Sequence, residues 1–245
     1  MPQLKSYHRP DSVTAALSLL TRPRTAVLAG GTNLVAQLND MLVDEVVDLQ
    51  AIGLDQIVVG ADTISLGAMV RLQTLVDHPE LPLLIRQMAQ REGPNTFRHV
   101  STLGGTVAAA DWESELFAAL LVYGAVVTFH TADGVHNSPL ADCGPALAQK
   151  GVLITGITIE RAGHAATERV ARTPADKPIV AVCGRVTPGG QLFLAFCGVA
   201  ERPCLLPPAD LPHIQPPTDF RGSSTYRQQM AQVLSQRVLK AIRSE

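Results

Sequence analysis

Two double-glycine segments place the strongest constraint on how this chain folds. The first, Gly30-Gly31, follows the apolar run Thr25–Leu28, and the second, Gly104-Gly105, lies about 70 residues further along. Glycine adopts positive φ angles and allows another group to approach the backbone closely. Exposed N–H groups in such a turn, or at a helix N-terminus, suit a phosphate group. One such pair is typical of an ordinary tight turn, but two pairs, each followed by threonine, favour a pyrophosphate cradle.

Motifs of other phosphate sites and of hydrolases do not occur in the sequence. The P-loop pattern is missing, and so is the GxGxxG fingerprint of Rossmann dinucleotide sites. Neither the Gly-x-Ser-x-Gly nucleophile motif nor HExxH occurs. The seven histidines are isolated and the four cysteines lack the close spacing of zinc or iron–sulfur ligands, so we expect structural roles for them. We therefore predict no catalytic side chain and no metal site in this chain.

The charge and hydropathy of the chain exclude further classes of protein. It has 245 residues, with 20 Lys and Arg against 22 Asp and Glu, and a hydrophobic fraction of 46%. A near-neutral charge argues against nucleic-acid binding. The longest apolar-rich segment, Leu116–Thr128, is shorter than the roughly 18 to 20 residues that span a bilayer, and residues 1–12 do not resemble a secretion signal. We expect a cytoplasmic protein that binds neither nucleic acid nor a membrane.

The order of helices and strands predicts an α+β fold rather than an open Rossmann sheet, because the two kinds of element alternate irregularly. The predicted helices are Asp11–Leu20, Leu34–Leu42, Arg71–Val76, Leu81–Arg91, Glu113–Leu121 and Thr225–Arg243. The predicted strands are Thr25–Leu28, Glu45–Leu49, Gln56–Gly60, Thr63–Gly67, Ala125–Thr131, Gly151–Ile159, Pro178–Val186 and Gln191–Val199. Six prolines in Arg202–Pro217 predict an extended surface stretch without a helix or strand. Glycine and proline clusters divide the chain into residues 1–52, 53–161 and 162–245.

Three acidic residues, Asp111, Glu113 and Glu115, lie at the start of a predicted helix. Two interpretations remain open for them. The carboxylates can cap the helix, because the helix dipole favours negative charge at its N-terminus. Alternatively, a carboxylate of this group accepts hydrogen bonds from the ribityl or ribose hydroxyls of a nucleotide cofactor.

The loops AGGTN and TLGGT and the strand ISLGAMVRLQTL resemble, in their order along the chain, the FAD-binding subunit of molybdenum hydroxylases. That family includes the flavoprotein parts of xanthine dehydrogenase and carbon monoxide dehydrogenase, with patterns such as AGGTSL, IGAMTT and GTIGGN. The segments ERVARTPADKPIVAV and FRGSSTYRQQMAQVLSQRVLKAI are similar to the family's C-terminal domain. The resemblance implies a two-part FAD-binding domain of the vanillyl-alcohol-oxidase (PCMH) type, followed by a small α+β domain with an antiparallel sheet and helices.

The resemblance also implies which residues bind a noncovalent FAD. The pyrophosphate would lie on Ala29, Gly30, Gly31, Thr32 and Asn33 of the first loop and on Thr102, Leu103, Gly104, Gly105 and Thr106 of the second. Glu115 aligns with a flavin-contacting Asp, Ile154 lies near an apolar contact to the isoalloxazine ring, and Arg169 lies near a family Lys beside the ring. We expect Gly104→Val to abolish FAD binding by blocking the pyrophosphate, without unfolding the protein.

The chain departs from the family pattern at a few of these positions. Thr106 replaces an Asn, Trp112 replaces a Pro, Glu115 replaces an Asp, and Thr167 stands where an aromatic residue is common. These departures motivate an alternative hypothesis, in which the chain is a structural subunit of the same fold that has lost its flavin. A third hypothesis is a different nucleotide-binding enzyme that uses the same cradle.

By resemblance, the leading hypothesis is an electron-transfer subunit of a multi-subunit oxidoreductase. A separate molybdopterin-binding large subunit would oxidise the substrate, and a small subunit with a 2Fe–2S cluster would relay electrons to the flavin. The flavin would pass them to NAD, a quinone or oxygen. The lack of iron-ligand cysteine spacing in this chain agrees with that division of labour.

Overall fold

The computed structural model describes residues 4–37 and 42–243. These residues form two compact units, each assembled from several segments of the chain. Unit 1 contains the described residues of 1–75 together with 95–109 and 126–158. Unit 2 contains 76–94, 110–125 and the described residues from 159 onward. The division of the chain into three consecutive domains, with boundaries after residues 52 and 161, stays a prediction.

The described residues form α-helices and strands in mixed order, as the α+β prediction requires. The α-helices are α1 Val13–Leu20, α2 Leu34–Gln37, α3 Leu72–Asp77, α4 Leu83–Arg91, α5 Asn95–Arg98, α6 Leu103–Ala109, α7 Glu115–Val122, α8 Gly144–Leu147 and α9 Ser224–Arg243. The strands are β1 Ser6–His8, β2 Thr25–Leu28, β3 Glu45–Asp48, β4 Ile57–Val59, β5 Thr63–Gly67, β6 Val126–Thr131, β7 Gly134–Pro139, β8 Leu153–Glu160, β9 His164–Val170, β10 Val180–Val186, β11 Leu192–Cys197 and β12 Cys204–Leu205. A 3-10 helix covers Pro208–His213.

Unit 1 begins with a parallel three-stranded sheet in the order β1-β3-β2. Helix α1 packs on it, and its N-cap is Ser12, whose side-chain oxygen accepts a hydrogen bond from the Ala15 N–H at 3.4 Å. The apolar face of α1 joins one core cluster with Val47 of β3 and Leu153 of β8. Strand β2 ends at the first double glycine, so the sheet fixes where that loop begins.

A five-stranded sheet in the order β4-β5-β8-β6-β7 forms the rest of unit 1. Alternate residues of β8 point to opposite faces, so that Leu153, Thr155 and Ile157 are buried while Ile154 is only half-buried. Ile154 pairs with Phe129 of β6, next to a register irregularity between Thr128 and Phe129. The sheet therefore presents Ile154 on the face opposite Leu153.

Unit 2 contains a four-stranded antiparallel sheet in the order β12-β11-β10-β9, with the long helix α9 packed against it. Gly184 of β10 lies under α9, where an added Cβ would overlap Val238 and lie 2.9 Å from Leu194. Arg227 of α9 is fully buried and donates hydrogen bonds to the carbonyl oxygens of Ile179 and Gly198. These contacts fix the helix on the sheet, and the prediction of an antiparallel sheet with helices is confirmed.

Among the described residues, four strands were not predicted from the sequence: β1, β7, β9 and β12. Strand β7 is exposed along most of its length, so it carries no apolar alternation that would reveal it. Helix α2 is observed over Leu34–Gln37; the predicted continuation covers residues 38–41, which lie outside the described residues, and Leu42 is not helical.

The prediction that Arg202–Pro217 lacks regular elements is wrong. The segment contains strand β12, which pairs with β11, and the 3-10 helix Pro208–His213. Pro208 begins the 3-10 helix, where its missing N–H would have no partner anyway, and Pro212 lies inside the same helix. The proline content therefore did not prevent regular elements in this segment.

Candidate functional site

The two double-glycine segments meet within unit 1. An added Cβ on Gly30 would overlap the carbonyl oxygen of Val100 and lie 2.9 Å from the Cα of Ser101. Beside this contact, the Ser101 hydroxyl donates a hydrogen bond to the Thr32 hydroxyl at 3.2 Å. Gly30 thus lets the first loop lie directly on the backbone that leads into the second loop. The predicted pyrophosphate residues of both loops are therefore neighbours in space.

The second double glycine lies in the first turn of helix α6 rather than in an open loop. The preceding residues pair with the segment after β5, since the Leu103 N–H donates to the Val70 carbonyl at 2.9 Å and the Gly104 N–H donates to the Ala68 carbonyl at 2.8 Å. An added Cβ on Gly104 would lie 2.8 Å from the Ala68 Cβ. The expectation that Gly104→Val would spare the fold is therefore wrong, because Gly104 is a packing position.

Gly105 differs from its neighbour. An added Cβ there would meet, within 4 Å, only the hydroxyl oxygen of Thr102, at 3.0 Å. Gly31 differs again, since its φ of +76° is the left-handed conformation that favours glycine. Gly30 and Gly104 therefore serve packing and Gly31 serves the backbone turn, whereas the side of Gly105 faces only the Thr102 hydroxyl.

The two loops also differ in their N–H donors. In the second loop the N–H groups of residues 103–106 all donate to protein acceptors, including Gly105 to the Thr102 hydroxyl and Thr106 to the Thr102 carbonyl. In the first loop the N–H groups of residues 30–33 donate to no acceptor in the described part of the chain. Anions bind such a group of unpaired N–H donors. The residues present therefore fit a diphosphate, with the donors on the first loop and an open glycine on the second.

Glu115 and Arg169 come together in unit 2. Glu115 is buried, with 3% of its side chain exposed, and its Oε1 accepts a hydrogen bond from Arg91 at 3.0 Å. Its Oε2 lies 3.5 Å from the Nε of Arg169. Arg169 also donates to the carbonyl oxygens of Pro174 and Asp176. Both residues are thus committed to contacts within their own unit, and their predicted contact with a flavin stays a prediction.

The acidic residues before α7 are each bound to a basic side chain. Asp111 pairs with Lys177, and Glu113 pairs with Arg221. The N-cap of α7 is neither of them but Ser114, whose hydroxyl accepts a hydrogen bond from the Phe117 N–H at 3.0 Å. Glu115 lies in the first turn of the helix, where the helix dipole favours its negative charge, as the capping interpretation predicts.

Glu92 was not identified from the sequence, although its side chain binds the N-terminus of α7. Its Oε1 accepts hydrogen bonds from the Ser114 hydroxyl at 2.7 Å and from the Leu116 N–H at 2.9 Å. Burial raises the pKa of the Glu92 carboxyl, and the two hydrogen bonds partly oppose that shift. The partners lie more than 20 residues apart in sequence, so no local pattern signals their contact.

Two family departures have structural explanations in unit 2. The ring of Trp112 lies under the guanidinium of Arg227, 4.8 Å from its centroid, which is the geometry of a cation–π contact. The Trp112 carbonyl accepts a hydrogen bond from the Gly198 N–H at 2.8 Å. Thr167 lies in β9, where its hydroxyl contacts the sulfur of Cys183 at 3.7 Å. The indole of Trp112 therefore adds a cation–π contact that a proline lacks, whereas the carbonyl contact does not depend on the side chain.

The cysteines are free thiols. Cys143, Cys183 and Cys197 are buried and Cys204 is half-buried. Burial raises the pKa of the Cys183 thiol to about 12 and also raises the pKa of Cys197. Within residues 4–37 and 42–243, no group of His, Cys, Asp and Glu side chains has the arrangement of a metal site, and no helix is long and apolar enough to cross a membrane.

Comparison with known proteins supports a flavin site. Residues 3–159 match the family model described as the FAD binding domain in molybdopterin dehydrogenase. The match covers well over half of the chain and contains both double-glycine segments. The chain therefore belongs to this family of FAD-binding domains, and FAD is its cofactor. This finding favours the flavoprotein hypothesis over a subunit that has lost its flavin.

Relatives of known role are similar along almost the full chain. The carbon monoxide dehydrogenase medium chain of Afipia carboxidovorans is 27% identical, with 98% of this chain and 97% of the relative covered. The glyceraldehyde dehydrogenase medium chain of Sulfolobus acidocaldarius is 24% identical, with coverages of 97% and 98%. The solved carbon monoxide dehydrogenase of Hydrogenophaga pseudoflava shares the fold, with a TM-score of 0.91, 21% identity and coverages of 100% and 99%. The chain is thus an oxidoreductase component.

Proposed function

We propose that this chain is the electron-transfer subunit of a multi-subunit molybdenum hydroxylase. It takes electrons from a small subunit that carries a 2Fe–2S cluster and passes them to NAD, a quinone or oxygen. A large molybdopterin-binding subunit oxidises the substrate. Support comes from the relatives, which are medium chains of dehydrogenases, and from the family, which is named for molybdopterin dehydrogenases.

The observation that carries the proposal is the contact between the two double-glycine segments. Gly30 lies against the backbone of Val100 and Ser101, and a Cβ added at Gly105 would meet only the hydroxyl oxygen of Thr102, at 3.0 Å. In this arrangement the N–H groups of residues 30–33 bind the FAD diphosphate, and Gly105 allows its close approach. The Thr32 hydroxyl, which accepts a hydrogen bond from Ser101, keeps its own proton as a further donor, whereas the Thr106 hydroxyl donates to the Thr102 carbonyl. The two loops therefore hold the cofactor without a covalent bond.

The remaining predicted residues have distinct proposed roles. Ile154, half-buried on its sheet face, offers an apolar contact to the flavin ring. Glu115 and Arg169 pair with each other in unit 2, and their proposed role toward the flavin rests on their alignment with an Asp and a Lys of the family. When bound, FAD supplies the two-electron redox chemistry, while the protein orients it and excludes competing reactions.

The proposal is tested in the assembled complex. A tagged chain expressed in its own host is purified under native conditions, and the eluate is analysed for flavin, molybdenum and iron. Reduction of the flavin by the reduced iron–sulfur subunit is then followed by its visible absorbance, and NAD, quinone and oxygen are compared as reoxidants. The proposal predicts all three components and flavin reduction on mixing. A chain that purifies with flavin but without partners containing molybdenum and iron contradicts it.

A further inference from the structure

Arg71 occupies the junction between the two double-glycine segments. It lies in the segment between β5 and α3 that pairs with the approach to α6, and its backbone forms an isolated bridge with Thr102. Its Nη1 donates a hydrogen bond to the carbonyl oxygen of Val100. This is the same carbonyl on which Gly30 packs. One carbonyl group therefore joins the guanidinium of Arg71 to the first loop of the cradle.

The charge of Arg71 is not balanced by a neighbour in the described part of the chain. No Asp or Glu oxygen there lies within 4.0 Å of its guanidinium, whereas Arg91, Arg169 and Arg221 each pair with a carboxylate. A guanidinium has five N–H donors, and the contact with Val100 uses one of them. Neither double-glycine loop contains a Lys or Arg of its own.

We infer that Arg71 is a positioning residue of the FAD site. Its hydrogen bond fixes the Val100 carbonyl, and through it the approach of the first loop to the second. Its unbalanced positive charge stabilises the anionic diphosphate bound on the first loop. The inference rests on the proposed placement of the diphosphate at the two loops. It assigns to Arg71 a preference for flavins that carry phosphate over flavins that lack it.

The test compares two ligands on the purified full-length apoprotein. FAD and riboflavin share the isoalloxazine ring, but only FAD has a diphosphate. Affinities of both are measured by flavin fluorescence for the wild type, Arg71→Gln and Arg71→Lys, at low and high salt. We expect Arg71→Gln to weaken FAD binding about tenfold, the usual contribution of a hydrogen bond to a charged group. Riboflavin binding stays unchanged, and Arg71→Lys keeps the salt dependence of FAD binding because it keeps the charge.

Arg86→Gln is the matched control, because Arg86 also donates to a backbone carbonyl, that of Val76, but belongs to unit 2. It is expected to bind both flavins as the wild type does. Equal loss of FAD and riboflavin affinity in Arg71→Gln, or no loss of either, overturns the inference. If Arg71→Gln does not fold, the salt dependence of FAD binding by the wild type is used instead. A wild-type FAD affinity that does not change with salt overturns the inference. A wild type that binds riboflavin and FAD equally contradicts the placement of the diphosphate instead.

Discussion

At the scale of single residues, the glycines of the second loop separate packing from binding. Gly104 lies against Ala68, so its backbone is part of the fold, whereas the side of Gly105 is open apart from the Thr102 hydroxyl. The two positions are adjacent, in the same helix, and equally small. A side chain added at Gly104 therefore affects packing, whereas one added at Gly105 affects binding, although both positions are glycine in the sequence motif.

We predict that Gly105→Val weakens FAD binding at least tenfold while the melting temperature changes little. The added side chain occupies the open side of the helix turn and blocks the diphosphate. Gly104→Val instead lowers the stability of the protein itself, by about 1–3 kcal/mol or more, because it overpacks against Ala68. FAD titration and thermal melting of both variants check this.

Ala108→Val on an exposed position of the same helix is the control and is expected to change neither property. Wild-type FAD affinity in a folded Gly105→Val protein would remove the second loop from the site.

A buried thiol gives a pH dependence with a defined sign. Burial raises the pKa of Cys183 to about 12, whereas an unfolded thiol titrates near 8.5. Above about pH 9 the unfolded chain therefore releases a proton that the folded chain retains, and stability falls by up to ~1.4 kcal/mol per pH unit. Stability is unaffected by this group below the pKa of the unfolded thiol.

We predict that Cys183→Ala loses less unfolding free energy between pH 7 and pH 10 than the wild type, by about 1–2 kcal/mol. Urea unfolding at the two pH values measures the difference. An identical loss in the two proteins would show that Cys183 does not titrate in this way.

At the scale of elements, Glu115 links three of them. It begins α7, and its carboxylate contacts Arg91 at the end of α4 and Arg169 in β9. Removing one partner from a buried ion pair is costly because the other charge remains without compensation. The contribution of Glu115 to the fold is therefore larger than that of an exposed ion pair.

We predict that Glu115→Ala lowers the free energy of unfolding by about 3 kcal/mol. Glu80→Ala, which breaks the exposed pair of Glu80 with Arg161, changes it by less than about 1 kcal/mol. Chemical denaturation of both variants tests the contrast, and similar losses in the two would mean that burial of Glu115 does not determine its contribution.

Elements with strong local patterns were predictable from the sequence. Strand β2 and helix α9 follow from apolar periodicity. The exposed strand β7 and helix α6 were not predicted, because β7 lacks an apolar face and α6 begins with two glycines. Glycine disfavours helices on its own, and here tertiary contacts with Ala68 override that preference.

In the candidate site, too, only the features that depend on local sequence were predictable. The glycine loops are visible in the sequence because they depend on residue type, and their resemblance to a family gave the cofactor. The contact of Arg71 with Val100 and the ion pairs of Glu115 were not predicted, because they join segments that lie far apart in the chain. Nothing local in the sequence signals such contacts.

At the scale of the whole molecule, family membership and the contact between the glycine loops lead to one central claim. The chain belongs to the FAD-binding domains of molybdopterin dehydrogenases, and we propose that it binds FAD through its diphosphate. Its substrate-oxidising and iron–sulfur partners belong to the proposed complex.

The most direct measurement is a titration of the purified full-length apoprotein with FAD, followed by visible absorbance and flavin fluorescence. The account predicts saturable binding of one FAD per chain, tighter than the binding of riboflavin, and release of intact FAD when the protein is denatured. A wild-type protein that is folded, as judged by a cooperative melting transition, and yet shows no saturable FAD binding would contradict the account.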